Sequence, residues 1–319
     1  MVPLSHKSKQ YLLVALKVLI LLVAFIFIFQ KVMNIDTQTW SEFKNAFTEE
    51  NSNPYYSILV ILALTLLNWL LEIRKWKLVV SHLQTISFKT SLKQSLAALT
   101  ASLATPARVG DYGAKAAYYP NEKRKQILLL NLFSNGMQMM VTAFFGMIGF
   151  CLVGLNYPLP VSTNKVGYIL LGLFLSTLAV YFFRNKTLLI KGLSIKSVLT
   201  YFKGLSLKIK TGTALFSLLR YLVFSSLFVI VLVFFGAENG FVSLYIFIFT
   251  MYFFVSIIPS LFIFDVVIRS GVAVWLFSII DVPEPTVLCT VLTMWLLNFV
   301  LPALIGSYFV MTFKPAESQ

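Results

Sequence analysis

Residues 127–155 read ILLLNLFSNGMQMMVTAFFGMIGFCLVGL, and this stretch contains no charged residue. One helix needs roughly 20 consecutive apolar residues to cross the hydrocarbon core of a bilayer, so the stretch is long enough to do so. Five further predominantly apolar runs occupy residues 11–30, 55–71, 166–183, 214–235 and 286–313. The sequence therefore predicts an all-α polytopic membrane protein.

Composition supports the same class. Of the 319 residues, 58% are hydrophobic and 12% are charged, whereas soluble domains average about 25% charged residues. These values exclude a disordered chain, a collagen-like chain and an ordinary cytosolic enzyme. The net charge of +14 would suggest a nucleic-acid partner in a soluble protein. Because the basic residues here fall mainly between the apolar runs, we expect no nucleic acid and interpret them as determinants of orientation.

The connections between the runs differ in their content of Lys and Arg. Basic residues, Lys75 among them, concentrate in four connections, at residues 1–10, 73–93, 121–126 and 184–212. Few occur in the alternate connections, at residues 31–54, 156–165 and 236–240. The positive-inside rule then places both termini in the cytoplasm of a multi-pass cell (plasma or inner) membrane protein. We expect the first run to stay as an anchor, and Arg220 to snorkel to the inner interface.

Two regions do not fit a simple span. Residues 90–119 are semi-polar, are broken at Thr105-Pro106 and have basic connections on both sides, so we expect a re-entrant helical hairpin turning at Pro106. Residues 241–280 are strongly apolar but interrupted by Pro259-Ser260. We expect a second hairpin there, entering from the outside and turning at Pro259; the alternative is two full spans.

The order of these segments predicts an inverted repeat within a single transmembrane domain, residues 1–319. Residues 1–156 form the first repeat, with its hairpin at 90–119, and residues 165–313 form the second, with its hairpin at 241–280. The total is about six full spans and two hairpins, or eight spans. Inverted repeats with broken helices that meet near the bilayer midplane are typical of transporters.

Charged residues follow the first break. In a helix beginning after Pro106, Arg108, Asp111 and Lys115 share one face, and Gly110 permits a close approach of a head group or another helix. Because two cations face one acid, positive charge remains for an anionic ligand. The alternative is an ion-paired cluster that only neutralises itself.

The second break is followed by a similar pair. Asp265 and Arg269 lie four residues apart on one helical face after Pro259. One reading is a satisfied ion pair within a buried helix. The other is a hydrated cavity between the arms, where an arginine would donate two hydrogen bonds to a phosphate.

We find no catalytic constellation. His6 and His82 have no partner at metal-ligand spacing, and Cys151 and Cys289 lie inside apolar runs. Gly-rich phosphate loops and hydrolase motifs are missing from the sequence. We therefore predict that the protein is not an enzyme, and expect no catalytic residue, metal or cofactor.

The charged segments resemble the lysylphosphatidylglycerol synthase transmembrane-region family, a flippase-like family of bacterial and archaeal inner-membrane proteins. Its T-P-x-R-x-G-[ED] motif is matched by Thr105, Pro106, Arg108, Gly110 and Asp111. Pro259 and Arg269 fit its second motif, a P-x-G-x-G-x-R-E-like segment, in a degenerate form, because the glycines are absent and Ser270 stands where Glu is usual. The similarity covers roughly residues 9–313.

In the multiple peptide resistance factors of that family, such a region translocates aminoacylated phosphatidylglycerol, and a separate cytosolic domain carries out the aminoacyl transfer. The resemblance implies a stand-alone module without the synthetase domain, which translocates or binds an anionic or amphiphilic lipid between leaflets. Arg108, Lys115 and Arg269 would engage the phospholipid or lipid-linked head group, with Asp111 and Asp265 balancing them. Two alternatives remain: a component of a lipid-linked transferase complex with a lipid-modifying enzyme as partner, or a non-transporting scaffold.

Overall fold

The computed structural model describes residues 41, 54–103, 105, 109–157, 194–258 and 262–313, without the side chains of 103 and 262–265. Over this part of the chain the regular elements are helices. They are α1 (Pro54–Val80), α2 (Phe88–Leu103), α3 (Val109–Ala117), α4 (Asn121–Asn156), α5 (Ile195–Gly204), α6 (Leu207–Phe234), α7 (Phe241–Ile257), α8 (Phe262–Phe277), α9 (Glu284–Trp295) and α10 (Leu301–Met311).

Four of the six predicted spans are confirmed. Helices α1, α4 and α6 are long and apolar enough to cross a membrane, as is the continuous helix Glu284–Met311, in which one π-helical turn at Leu296–Val300 joins α9 to α10. The predicted spans at 11–30 and 166–183 lie outside the described residues. The chain is therefore a multi-pass α-helical membrane protein.

The helices extend beyond the apolar runs that predicted them, and α6 shows why. Its apolar run starts at residue 214, but the helix begins at Leu207. The hydroxyl of Ser206 accepts a hydrogen bond from the backbone N–H of Ile209 over 3.4 Å and so caps the first turn. The longer helix places Arg220 at its middle rather than near its start.

Both predicted breaks are present. Helix α2 ends at Leu103 and α3 begins at Val109; α7 ends at Ile257 and α8 begins at Phe262. Helix α3 is about 14 Å long at 1.5 Å per residue, too short to cross, and it packs against α2 as a re-entrant arm would. Helix α7 spans about 25 Å, and α8 with the 3-10 turn Ser278–Ile280 about 30 Å. The choice between a second hairpin and two spans stays as predicted from the sequence.

The two halves pack on each other reciprocally. Helix α4 ends the first half and packs on α7 of the second, while α10 ends the second half and packs on α2 of the first. Glycines allow both approaches: a Cβ on Gly306 would overlap the carbonyl oxygen of Leu96, and one on Gly149 would overlap the Cβ of Phe249. In the predicted repeat, α4 corresponds to the helix that ends in α10, and α2 corresponds to α7. The two contacts are therefore equivalent under that repeat. The repeat boundaries and the inverted sense stay predictions.

The interior is largely apolar. Phe247, Leu244 and Phe277 belong to a large core cluster built mainly from helices of the second half, and Trp76 and Ile127 belong to a smaller cluster built mainly from the first half. Large apolar side chains also cover the outer helix faces, as at Leu66 and Met140. Such an outer surface suits contact with lipid chains.

Candidate functional site

A buried carboxylate joins two long helices, α1 and α6. Oε2 of Glu72 on α1 lies 2.9 Å from Nζ of Lys75 and 2.8 Å from Nη1 of Arg220 on α6. Glu72 is 9% exposed and Lys75 is fully buried. Two cations share one acid, so this group carries one excess positive charge.

Lys75 and Arg220 lie elsewhere than the sequence predicts. Lys75, which the sequence places in a basic connection, is buried beside Glu72 because α1 continues to Val80 and carries that turn into the protein interior. Arg220 does not snorkel to an interface. It reaches across to α1, where its Nε also donates to Oδ1 of Asn68 over 3.3 Å.

Side-chain amides extend this polar centre to further helices. Nδ2 of Asn68 donates to Oδ1 of Asn298 in the π-helical turn over 2.9 Å. On α4, Gln138 accepts from Lys75 at Oε1 over 3.4 Å and donates from Nε2 to the carbonyl oxygen of Ser217 over 3.2 Å. Each of the four membrane-length helices carries one of these groups within one residue of its midpoint, namely Asn68, Gln138, Arg220 and Asn298. The polar groups therefore meet midway along the four helices.

A cavity of about 280 Å³ opens at this level. Arg220 and Arg269 line it, together with the aromatic side chains of Trp69, Tyr252 and Phe299. Its walls come from helices of both halves: α1, α2 and α4 of the first, and α6, α7, α8 and the π-helical turn of the second. The arrangement presents cationic groups and aromatic faces to whatever enters the space between the halves.

Arg269, on α8, is one of the residues that line the cavity. Its guanidinium carbon lies 5.6 Å from the centre of the Phe299 ring, a distance at which the ring face attracts a cation. Asp265 precedes it by one helical turn on α8, but the Asp265 side chain lies outside the described residues, as do Pro259, Pro106 and Arg108.

Asp111 and Lys115 form a second polar cluster, with amide partners on α4. Nζ of Lys115 lies 3.2 Å from Oδ1 of Asp111 and donates to Oδ1 of Asn131 over 2.9 Å. Oδ2 of Asp111 accepts from Asn131 over 2.7 Å and from Asn135 over 3.2 Å. The Lys115 ammonium also lies 4.5 Å from the centre of the Trp76 ring. This cluster ties the short arm α3 to α4 and α1.

Thr105 and Gly110 of the first motif hold the start of α3 close to the end of α2. The hydroxyl of Thr105 accepts from the backbone N–H of Gly110 over 2.6 Å and donates to the carbonyl oxygen of Ser102 over 3.3 Å. A Cβ at Gly110 would overlap the carbonyl oxygen of Ala101 on α2, so only glycine allows the arms to approach this closely.

The predicted site residues thus separate into two groups. Arg269 lines the cavity, whereas Asp111 and Lys115 bind to each other and are not among its lining residues. Glu72 and Asn68 were not predicted as site residues. A signal was present: Asn68, Glu72 and Lys75 follow each other at spacings of four and three, which puts all three on one face of α1.

Membrane-length helices around an internal cationic cavity define the class: a polytopic α-helical membrane protein with a polar site between two packed halves. The chain belongs to the family described as "Lysylphosphatidylglycerol synthase TM region", which matches residues 13–306. The match confirms the family that the two motifs indicated. No curated protein and no solved structure matches the chain.

Proposed function

We propose that this membrane protein is a flippase-like translocase, which holds the head group of an anionic or amphiphilic lipid in the central cavity while the lipid moves between leaflets. The observation that carries the proposal is the pair of arginines, Arg220 and Arg269, lining one cavity midway along the membrane-length helices. Ionisable residues within membrane spans are costly and typically mark the path of a polar substrate.

The chemistry of the cavity suits a phosphate. Guanidinium groups offer planar pairs of N–H donors that match two phosphate oxygens. A volume of about 280 Å³ is slightly smaller than that of typical small-molecule sites, which begin at about 300 Å³. It suits a head group, while the acyl chains remain outside in the lipid.

The packing of the halves supports a change of access. Because both halves contribute walls, rocking one half against the other would open the cavity first to one side and then to the other. The close seams at Gly306 and Gly149 lie where α10 meets α2 and α4 meets α7. These helix pairs are the surfaces along which such a motion would occur.

The proposal extends to the location of the protein and to the charged residues that follow the two breaks. We also propose that the protein lies in the inner membrane with both termini cytoplasmic, an orientation that the distribution of Lys and Arg favours. Asp111 and Lys115 act by holding the arm α3 in place. Two residues follow the breaks. Arg108 would contact the head group, and Asp265 would balance the positive charge of the arginines.

The proposal is tested by a leaflet-resolved assay in proteoliposomes that contain a fluorescent anionic phospholipid. The wild-type protein should accelerate transfer between leaflets, and Arg269→Gln should abolish the acceleration. The matched control is Lys210→Gln, which should leave the rate unchanged. Lys210 lies in the first turn of α6, and its ammonium donates to the carbonyl oxygen of Lys203 on α5. A transferase component or a scaffold would give no transfer, and an unchanged rate in Arg269→Gln would contradict the proposed site.

A further inference from the structure

Helix α5 packs on the first turns of the apolar run of α4. Val198, which is 8% exposed, belongs to one apolar cluster with Leu129, and the ring centre of Phe202 lies 5.3 Å from that of Phe133. The apolar run of α4 begins at residue 127. Because such a run marks the hydrocarbon part of the bilayer, α5 lies at the level where the head groups meet the hydrocarbon.

The opposite face of α5 carries two lysines and a leucine. Spacings of three and four residues place Lys196, Leu199 and Lys203 on one side of the helix, away from its buried face. Both lysines are exposed, and Leu199 is 52% exposed. Leu207 and Lys208 at the start of α6 are exposed as well. We call these five residues the α5 surface, on which ammonium groups alternate with apolar side chains.

The α5 surface carries positive charge without a matching acid. The sequence contains no Asp or Glu over residues 123–237. The ion pairs between described residues do not include the lysines of the α5 surface. Its three ammonium groups can therefore bind anions from outside the described part of the protein.

We propose that the α5 surface lies along the membrane and binds the head groups of anionic phospholipids in the surrounding bilayer. At the boundary between head groups and acyl chains, the leucine side chains enter the apolar layer, while the lysine side chains extend their ammonium groups to the phosphates. The combination of leucine and lysine at this depth favours a lipid surface over a soluble partner. These lipids lie outside the central cavity, so the proposal does not depend on translocation.

Fluorescence quenching by brominated lipids tests the proposal on the full-length protein in proteoliposomes. With Cys151 and Cys289 replaced by alanine, Leu199→Cys carries a bimane fluorophore on the α5 surface. All samples contain the same mixture of phosphatidylcholine and phosphatidylglycerol, in which either the phosphatidylglycerol or an equal amount of the phosphatidylcholine is brominated. Brominated phosphatidylglycerol should quench more strongly, and concentrated salt should remove the difference by screening the charges.

Charge variants show whether the lysines cause the preference. Lys196→Gln combined with Lys203→Gln should lower the association constant of phosphatidylglycerol relative to phosphatidylcholine by at least about fivefold, since one lysine near an anionic surface contributes roughly that factor. Lys196→Arg combined with Lys203→Arg keeps the charge and should keep the preference. The control is Lys89→Gln combined with Lys93→Gln, which removes two exposed lysines of α2 and should leave the preference unchanged. An equal loss in this control would contradict a site on α5.

Met139→Cys with the same fluorophore is the reference for plain contact with lipid chains. Met139 is 58% exposed on the outer apolar surface of α4, so both brominated lipids should quench it equally. Strong quenching at Leu199→Cys without a preference for phosphatidylglycerol would overturn the assignment to anionic head groups. Quenching there by neither lipid would place the α5 surface in water or against another protein, and would overturn the proposal as a whole.

Discussion

Nη1 of Arg220 donates to Oε2 of Glu72 over 2.8 Å, and this contact links the middle of α6 to α1 across 148 positions of sequence. Lys75 approaches the same carboxylate oxygen from one turn further along α1. A buried carboxylate held by two cations is stable only while all its partners are present. We therefore expect this contact to stabilise the fold as well as to shape the cavity.

Removing the carboxylate should destabilise the protein. Glu72→Gln leaves the buried Lys75 ammonium and the Arg220 guanidinium without their shared anion, and we expect the free energy of unfolding to fall by about 3–5 kcal/mol. The measurement is denaturant unfolding in detergent. The control is Glu238→Gln at an exposed position, which should change the free energy of unfolding by less than about 0.5 kcal/mol. Equal effects of both substitutions would show that the Glu72 carboxylate does not stabilise the protein.

The charges of the α3 cluster should be coupled. Asp111→Asn and Lys115→Met each leave a largely buried partner without its counter-charge, and Lys115 is only 2% exposed. We expect each single substitution to cost about 3 kcal/mol, and the double variant to cost clearly less than the sum. Unfolding of the four proteins of this cycle gives the coupling energy, and simple additivity would mean that the ion pair at 3.2 Å contributes nothing.

The seam between α10 and α2 should not tolerate a methyl group. A Cβ at Gly306 would overlap the Leu96 carbonyl oxygen and the Thr100 hydroxyl, and the Thr100 hydroxyl donates to the Ala303 carbonyl oxygen over 2.9 Å at the same contact. We expect Gly306→Ala to lower the free energy of unfolding by about 1–3 kcal/mol through overpacking.

Gly136→Ala is the matched control for that seam. Gly136 also lies within a long helix, but a Cβ there meets nothing within 4 Å. Because alanine favours the helix over glycine, this substitution should be neutral or stabilise by up to about 1 kcal/mol. If both glycine substitutions have the same effect, close helix approach at Gly306 is not the reason for the glycine.

Local patterns in the sequence were sufficient to predict the membrane-length helices and the breaks between the shorter ones. The apolar runs at 55–71, 127–155, 214–235 and 286–313 each correspond to a membrane-length helix, because hydropathy over about 20 residues reflects directly whether a segment can lie in lipid. Both chain breaks fall where a proline interrupts a helical pattern, since proline removes a backbone donor and clashes with the preceding turn.

The site was only partly predictable, because its contacts are distant in sequence. The pair Asp111 and Lys115 was foreseen from a spacing of four, and the structure shows its contact at 3.2 Å. The partnership of Arg220 with Glu72 depends on how α6 packs against α1, which no local spacing encodes. The apolar run at 214–235 also misplaced Arg220, because the first turns of α6 are polar and capped.

Access of water to the central cavity tests the account most directly. In a protein with Cys151 and Cys289 replaced by alanine, Thr142→Cys would line the cavity. Met139→Cys would lie three residues away on α4, at a position 58% exposed on the outer apolar surface. In proteoliposomes we expect a negatively charged, membrane-impermeant thiosulfonate to modify Thr142→Cys, and to do so faster than its positively charged counterpart, while Met139→Cys stays unmodified within the lipid. Modification of Thr142→Cys no faster than that of Met139→Cys would contradict a hydrated cationic cavity between the two halves.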